Sequence, residues 1–334
     1  MNPFPVTSSN LSAPHLALFL QTQYHTAPGV ACRLIKSGVN DTYQVTTDTG
    51  KYVFRVYSLQ WRTREEISEE LRLLILLKDQ GIPVSWPVAD ATGNYIQTLQ
   101  APEGERFGVL FTYAAGEKLT HYADEIHFKT GAVMARMHQL TQQLPLNRVT
   151  YTSKILLEDS LEQVKKFLDA DTPEMAFLLS AQQYLLRAYA AADTSKIRQG
   201  VVHMDIWFDN MNINHDNQIT IFDFDFCGNG WQCLDIAYYI LQLHSLIREM
   251  PECQAKLDRF LEGYNAVLPI SEEEKRLLPM LGVCMYFFYL GIQCQRYDNW
   301  SNSFLNEAYL KRFITVLVKR YYELYLPAAS TVNP

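Results

Sequence analysis

Three residues of this chain have the types and the spacing for one coherent piece of chemistry. Asp205 ends the run His203-Met204-Asp205, Asn210 stands five positions later, and Asp223 opens Asp223-Phe224-Asp225 thirteen positions beyond that. A carboxylate at the first position can accept the proton of an attacking hydroxyl. An amide oxygen and a second carboxylate can hold magnesium against a phosphate in transfer. Any single aspartate near a strand end is by default a cap or turn residue, so the inference rests on the set. Two neighbours read differently. Asp225 is equally suited to supporting a metal ligand and to closing a turn, and His203 is expected to orient the loop by hydrogen bonding rather than to exchange protons.

Phosphoryl transfer is mostly positioning and charge neutralisation, so such a set needs a phosphate-covering loop and a cation elsewhere in the chain. Both lie upstream. Lys36-Ser37-Gly38-Val39-Asn40-Asp41-Thr42-Tyr43 falls between two strand patterns. Gly38, with Asn40 beside it, would let backbone N–H groups approach phosphates there; the bland alternative is a turn glycine. Arg55 sits mid-strand in Tyr52-Val53-Phe54-Arg55-Val56-Tyr57, where it reaches the same phosphates or, on alternation alone, faces solvent. Glu70 on the following helix is the expected ion-pair partner of Arg55, with Glu69 the competitor one residue away.

The elements that must position these residues are legible as patterns. A short helix is expected around Leu16–Gln23. Cys32–Tyr57 reads as strand pieces, with Tyr43, Val45, Tyr52, Phe54 and Val56 in period-two alternation and Asp48-Thr49-Gly50 as a hairpin turn. Ile67, Leu71, Leu74 and Leu77 line one face of a helix over Arg64–Gln80, stopped by Gly81 and Pro83. Strands follow at Tyr95–Thr98 and Val109–Tyr113. The texture then turns helical, so the chain is expected to divide at Ala114–Gly116 into a lobe of residues 1–115 and a lobe of residues 116–334. Helices are expected over His127–Leu140, Ser160–Leu168, Pro173–Ala192, Leu234–Arg248, Gln254–Tyr264, Glu272–Trp300 and Asn306–Leu326. One strand island interrupts them: Val201-Val202 enters the His203 run, and Met211–Ile213 with Ile219–Phe222 forms a hairpin that leads to Asp223. The reactive residues thus fall on loops beside a small sheet, a common placement for a site.

Composition narrows the function classes. A chain of 334 residues with 48% hydrophobic and 13% aromatic residues builds a substantial core and has room for two lobes. Its net charge of -7 argues against a general nucleic-acid binder, which needs a basic face. The six cysteines, Cys32, Cys227, Cys233, Cys253, Cys284 and Cys294, include no C-x-x-C pair, so buried free thiols are expected rather than a zinc site or a disulfide framework. The polar, proline-containing start lacks the pattern of a secretory signal, and no run of eighteen apolar residues appears. No membrane partner is expected, and the cytoplasm is the expected compartment.

In their order along nearly the whole chain, these parts resemble the aminoglycoside phosphotransferase, choline kinase and homoserine kinase superfamily. The resemblance is carried further by Phe111-Thr112-Tyr113-Ala114-Ala115-Gly116 at the place of its lobe-linking hinge and by Gly131-Ala132-Val133-Met134-Ala135-Arg136-Met137-His138, which looks like its G-x-x-x-A-x-x-H helix. Gly230-Trp231-Gln232-Cys233-Leu234-Asp235-Ile236-Ala237 is similar to the segment that closes its catalytic lobe. The run from Tyr52 through Trp61 and Glu70 to Ile82-Pro83-Val84-Ser85-Trp86-Pro87 looks most like the stress response kinase A and type II homoserine kinase branches. What the resemblance implies is an α+β, protein-kinase-like two-lobed fold: a small N-terminal antiparallel sheet plus helix, then a larger, mainly helical lobe. It also implies ATP and Mg2+ as cofactors, Asp205 as base, Asn210 and Asp223 as metal ligands, and Arg55 with Glu70 as the nucleotide clamp. Backbone groups near Thr112 and Ala114 would then meet adenine, and His138 and Asp235 would brace the catalytic lobe. Two departures stand out: Trp207 replaces the family's frequent histidine or glutamine two places after the base, and the third-strand cation is arginine rather than lysine.

The resulting expectation is transfer of the γ-phosphate of ATP to a hydroxyl, on a small molecule of aminoglycoside, choline or homoserine type. A protein substrate is the alternative of the same chemistry, disfavoured because only a dozen residues separate Asp223 from Asp235 and no activation-loop segment fits between them. A nucleotide-binding module without catalysis is the alternative of another class, disfavoured because the base and both metal-ligand positions carry competent residues. The stripe Met285–Leu290, continuing to Arg296, Tyr297 and Trp300, either lines an acceptor pocket or, as helical spacing more often means, fills a core. Asp159, Glu162 and Asp298 either attract an amine or mark a solvated face.

Overall fold

Tyr43 and Val45 on one strand and Phe54 and Val56 on the next are all fully buried, which is how period-two alternation turns one face of a sheet into a core. The computed structural model describes residues 4–297 and 302–326. The chain divides into two compact units, one running to Glu117 and including Thr220–Phe222, the other comprising Lys118–Ile219 and the residues from Asp223 onward.

The first unit begins with α1 (Ala13–Gln23), followed by β1 (Ala31–Ser37), β2 (Asp41–Thr47), β3 (Gly50–Val56), α2 (Arg64–Asp79), β4 (Ile96–Ala101) and β5 (Gly104–Thr112). The strands form an antiparallel five-stranded sheet in the order β1-β2-β3-β5-β4. Leu16 and Leu20 of α1 close its core over Tyr43, Val45, Phe54, Val56, Leu99 and Leu110. A capping box, in which Thr63 accepts from the Glu66 N–H while the Glu66 carboxylate takes the Thr63 N–H, starts α2. Gly81 in the left-handed region lies just past its end. Ile221 belongs to this unit through reciprocal backbone bonds with the Pro83–Ser85 segment.

The second unit is mainly helical. It contains α3 (Asp124–Thr141), a π-helical turn at Lys154–Asp159 leading into α4 (Ser160–Val164), α5 (Pro173–Ala190), and the short strands β6 (Gln199–Val202), β7 (Met211–Ile213), β8 (Ile219–Ile221, whose last two residues count with the first unit) and β9 (Gly228–Trp231). Then come α6 (Cys233–Leu246), α7 (Met250–Asn265), α8 (Glu272–Gln295), α9 (Glu307–Phe313), a second π-helical stretch at Ile314–Lys319, and α10 (Arg320–Tyr325). Glycines set the approach of α3 to α7: a Cβ on Gly131 would stand 2.1 Å from the Phe260 carbonyl oxygen, and one on Gly263 would stand 2.0 Å from that of Phe128.

The expected α+β architecture is the observed one, with corrections in detail. The segment Gly228–Trp231, to which the sequence reading assigns no strand, pairs antiparallel with β6 as β9. The helix expected over Asn306–Leu326 is broken by its π-helical middle, and the one expected from Ser160 is preceded by the turn at Lys154. The described part of α8 ends at Gln295, and Asp298 and Trp300 lie outside the described residues. This helix has the length and apolarity of a membrane span, but 78% of its apolar window is buried inside the protein, the position of a core helix. All six cysteines are free thiols, five of them buried.

Candidate active site

β6 delivers the chain to His203, and α6 receives its backbone. Both carboxylate oxygens of Asp235, the buried third residue of α6, accept main-chain N–H groups: Oδ2 from His203 at 2.9 Å and Oδ1 from Met204 at 2.7 Å. His138 of α3 steadies that carboxylate, with Nε2 3.0 Å from Oδ2 and Nδ1 2.7 Å from the Tyr264 hydroxyl. The clamp holds Met204 at φ +71°, a left-handed backbone that methionine seldom adopts. From α8 the Tyr289 hydroxyl donates to the Met204 carbonyl at 2.9 Å. Strain of this kind persists only where surrounding contacts over-determine it.

This turn aims Asp205. Its N–H donates to His203 Nδ1 at 3.1 Å, and the His203 ring packs 4.3 Å from that of Phe224. The Asn210 amide Nδ2 donates to Asp205 Oδ2 at 2.6 Å and to the Asp205 carbonyl at 3.0 Å, while the Tyr238 hydroxyl donates to Oδ1 at 2.5 Å. Burial pushes the Asp205 carboxyl up to about 7, the charge of Asp223 adds to this, and the bonds from Tyr238, Tyr289 and Asn210 oppose it. Asp223 itself is left-handed at φ +67° and ψ +62°, a conformation more accessible to aspartate than to most side chains. Asp205, Asn210 and Asp223 therefore form one group within the second unit. Asp225 is buried, and its carbonyl accepts a very short hydrogen bond from Arg148. Trp207 is extended, with its ring edge-on to Phe208 at 4.5 Å.

The phosphate-side candidates form a second group, within the first unit. Arg55 Nη1 meets Glu70 Oε1 at 2.9 Å, Glu70 is fully buried, and Tyr57 donates to Oε2 at 3.1 Å. The Arg55 guanidinium also lies over the rings of Phe111 at 5.2 Å and Tyr57 at 5.7 Å. Glu69 instead grips Arg72, at 2.9 and 2.8 Å. Asn40 is buried and uses Oδ1 to accept the Ser58 N–H at 3.2 Å, so its side chain shapes the loop from within. The N–H of Gly38 donates to the Asn40 carbonyl at 3.2 Å. Thr112 donates its N–H to Trp86 O and accepts from Ser85 Oγ at its carbonyl. Ala114 is buried just beyond β5.

Tyr238 and Tyr289 were not singled out as site residues from the sequence. Tyr289 belongs to the aromatic stripe, whose other members Met285–Phe288 and Leu290 are buried core. Tyr238 stands three residues after Asp235, so one helical turn carries both the backbone clamp and the carboxylate partner. That periodicity was the available signal. Asp159 pairs with Lys154 and Glu162 with Lys165, as solvated surface charges do.

Residues 31–274 match the model of the phosphotransferase enzyme family. The homoserine kinase of Methylobacillus glycogenes is 29% identical over 259 residues, covering 77% of this chain and 77% of that protein. Among solved structures, an amicoumacin kinase in complex with AMP-PNP and Ca2+ superposes with a TM-score of 0.76 at 20% identity, covering 94% of this chain and 97% of the other. A microcompartment-associated aminopropanol kinase also gives 0.76, at 19% identity, covering 95% and 100%. These structural likenesses show the shared protein-kinase-like fold.

Proposed function

Because this chain belongs to the phosphotransferase enzyme family, we propose that it transfers the γ-phosphate of ATP to a hydroxyl of a small molecule, with Asp205 as the base. The observation that carries the reading is the contact between Asn210 and Asp205. An amide that donates from Nδ2 to the base leaves its Oδ1 to ligate a cation, so one side chain links proton acceptance to metal binding. Asp223 would supply the second ligand. The donors are an amide oxygen and a carboxylate, which suits a hard cation such as magnesium, and the like charge by which Asp223 raises Asp205 is the charge that a cation neutralises. Magnesium held there would supply positive charge to the nucleotide phosphates.

The chain's own residues do the rest. Asp205 orients the acceptor hydroxyl and takes its proton. Arg55, held by Glu70, offers a fixed fork to phosphate oxygens, and Gly38 gives the loop before β2 room to cover them. The homoserine kinase relatives and the aminopropanol kinase neighbour support an amino alcohol as acceptor, a substrate class that the net charge of -7 does not oppose. The interval between Asp223 and Asp235 is taken up by a short 3-10 turn and β9, which favours a small acceptor over a protein. We also place the protein in the cytoplasm, a reading supported by its six free thiols.

A panel of homoserine, aminopropanol, choline, sugars, aminoglycosides and a generic protein, assayed for ADP release with Mg-ATP, tests this reading. Turnover is expected with an amino alcohol and lost in Asp205→Ala, with nucleotide binding retained. Unchanged turnover in Asp205→Ala sinks the assignment. Thermal stabilisation by Mg-ATP without ADP release on any acceptor would favour a binding module instead.

A further inference from the structure

The carboxylate of Asp205 is gripped at both ends by this chain. Asn210 occupies Oδ2 at 2.6 Å and Tyr238 occupies Oδ1 at 2.5 Å. We propose that Tyr238 is a positioning residue of the phosphotransfer site, its hydroxyl fixing the Oδ1 end of Asp205 so that one lone pair of the base faces the acceptor.

The inference rests on the reading of Asp205 as base. Asp205 is only partly shielded and its backbone follows a left-handed residue, so without side-chain partners its carboxylate would be free to rotate. A donor at each oxygen removes that freedom. Tyr238 is suited to the task by its mounting: it is 2% exposed, it lies one turn beyond Asp235 on α6, and Asp235 holds the His203 and Met204 amides. The same rigid turn therefore sets both the loop backbone and the side-chain angle. Tyr289 of α8 stacks on the Tyr238 ring at 5.1 Å with planes 26° apart and bonds the Met204 carbonyl, which fixes the phenol from its other face. Burial and the negative charge of Asp205 hold the Tyr238 hydroxyl well above its ordinary range, so it remains a donor.

In the reaction the acceptor O–H bond breaks and its proton passes to a lone pair of Asp205 that Asn210 and Tyr238 leave open. The acceptor oxygen bonds the γ-phosphorus, and the bond from that phosphorus to the bridging oxygen breaks, releasing ADP. Tyr238 keeps its own proton throughout. Its contribution is orientation, and a hydrogen bond to a charged group is worth roughly 10- to 100-fold in a rate that depends on it.

Tyr238→Phe removes one oxygen and keeps the ring stack. With the best acceptor of the panel, its kcat is expected to fall about 10- to 100-fold while the KM for ATP stays within about twofold of the parent. A kcat within twofold of the parent overturns the proposal. Asp205→Ala in the same assay separates the two readings: if it turns over like the parent, the base assignment falls and takes this proposal with it; if it is dead while Tyr238→Phe is unimpaired, only the role of Tyr238 falls. Should Tyr238→Phe fail to fold, 3-fluorotyrosine at position 238 keeps ring and hydroxyl and is a stronger donor. It is then expected to move the acid limb of the kcat profile to lower pH, and an unmoved limb overturns the proposal.

Discussion

Asp235 holds Met204 in a left-handed backbone by accepting its N–H at 2.7 Å, while its other oxygen accepts the N–H of His203. An amide at position 235 could accept only one of these, and its NH2 would face a donor. Asp235→Asn is therefore expected to lose roughly 1–3 kcal/mol of stability and to lower kcat more than it raises the KM for ATP. Urea unfolding together with steady-state kinetics checks it. Stability and kcat both unchanged would mean that the clamp is dispensable.

Glu70 and Glu69 are adjacent in sequence and opposite in consequence. Glu70 is fully buried against Arg55 and Tyr57, whereas Glu69 pairs with a half-exposed Arg72. Glu70→Ala leaves a nearly buried guanidinium without this carboxylate and is expected to cost about 2–4 kcal/mol and to raise the KM for ATP. Glu69→Ala is expected to cost no more than about 1 kcal/mol. Denaturant midpoints of the two variants measured side by side decide it, and equal losses would contradict the assignment.

Gly38 has no left-handed φ, and a Cβ there would meet only Lys36 Cε at 3.9 Å. The fold itself thus does not require glycine at this position. Gly38→Ala is expected to leave stability unchanged or raise it by up to about 1 kcal/mol, since alanine restricts the unfolded chain. If the loop covers phosphates, the same methyl raises the KM for ATP severalfold. Calorimetry shows the first effect and kinetics the second; an unaltered KM would remove Gly38 from the site.

His127 of α3 is buried, its Nδ1 2.9 Å from the Tyr239 hydroxyl. Burial lowers it from 6.5 to about 4, and the nearby Lys256 acts in the same direction. Between those values the unfolded chain binds a proton that the folded chain refuses. The stability of the neutral form is thus fully present above pH 6.5 and is lost as pH falls toward 4. His127→Asn, which keeps an amide near the Nδ1 position, is expected to flatten the fall in stability across that window by roughly 1–3 kcal/mol. Chemical denaturation at several pH values tests this. His244, lowered by its own burial, leaves a residual slope in the same direction, and Asp205, raised by its burial, one in the opposite direction.

Much of this protein was readable from local pattern. Period-two alternation at Tyr43, Val45, Phe54 and Val56 and the one-sided stripe at Ile67, Leu71, Leu74 and Leu77 announced the sheet and α2, because burial of a strand face or a helix stripe is written in the order of residues. The short interval from Asp205 to Asn210 was equally legible, since two residues five apart on one loop can meet without help from distant elements. Other features had no local trace. β9 forms from Gly-Asn-Gly-Trp because β6 offers it a partner, and a strand made by its neighbour carries no propensity signal of its own. Glu70, by contrast, was named ahead of Glu69 from the sequence, and it falls one turn beyond Ile67 on the buried stripe of α2 while Glu69 turns away from it. Tyr238 and Tyr289 stand fifty-one positions apart on two helices and converge on the Asp205 loop only once α6 and α8 pack together. The sequence by itself determined which chemistry the loop could perform, because the identities and intervals of Asp205, Asn210 and Asp223 are local facts. Only the tertiary structure decided how the Asp205 carboxylate is held, because hydrogen bonds from remote helices depend on packing and burial that no stretch of the chain contains alone.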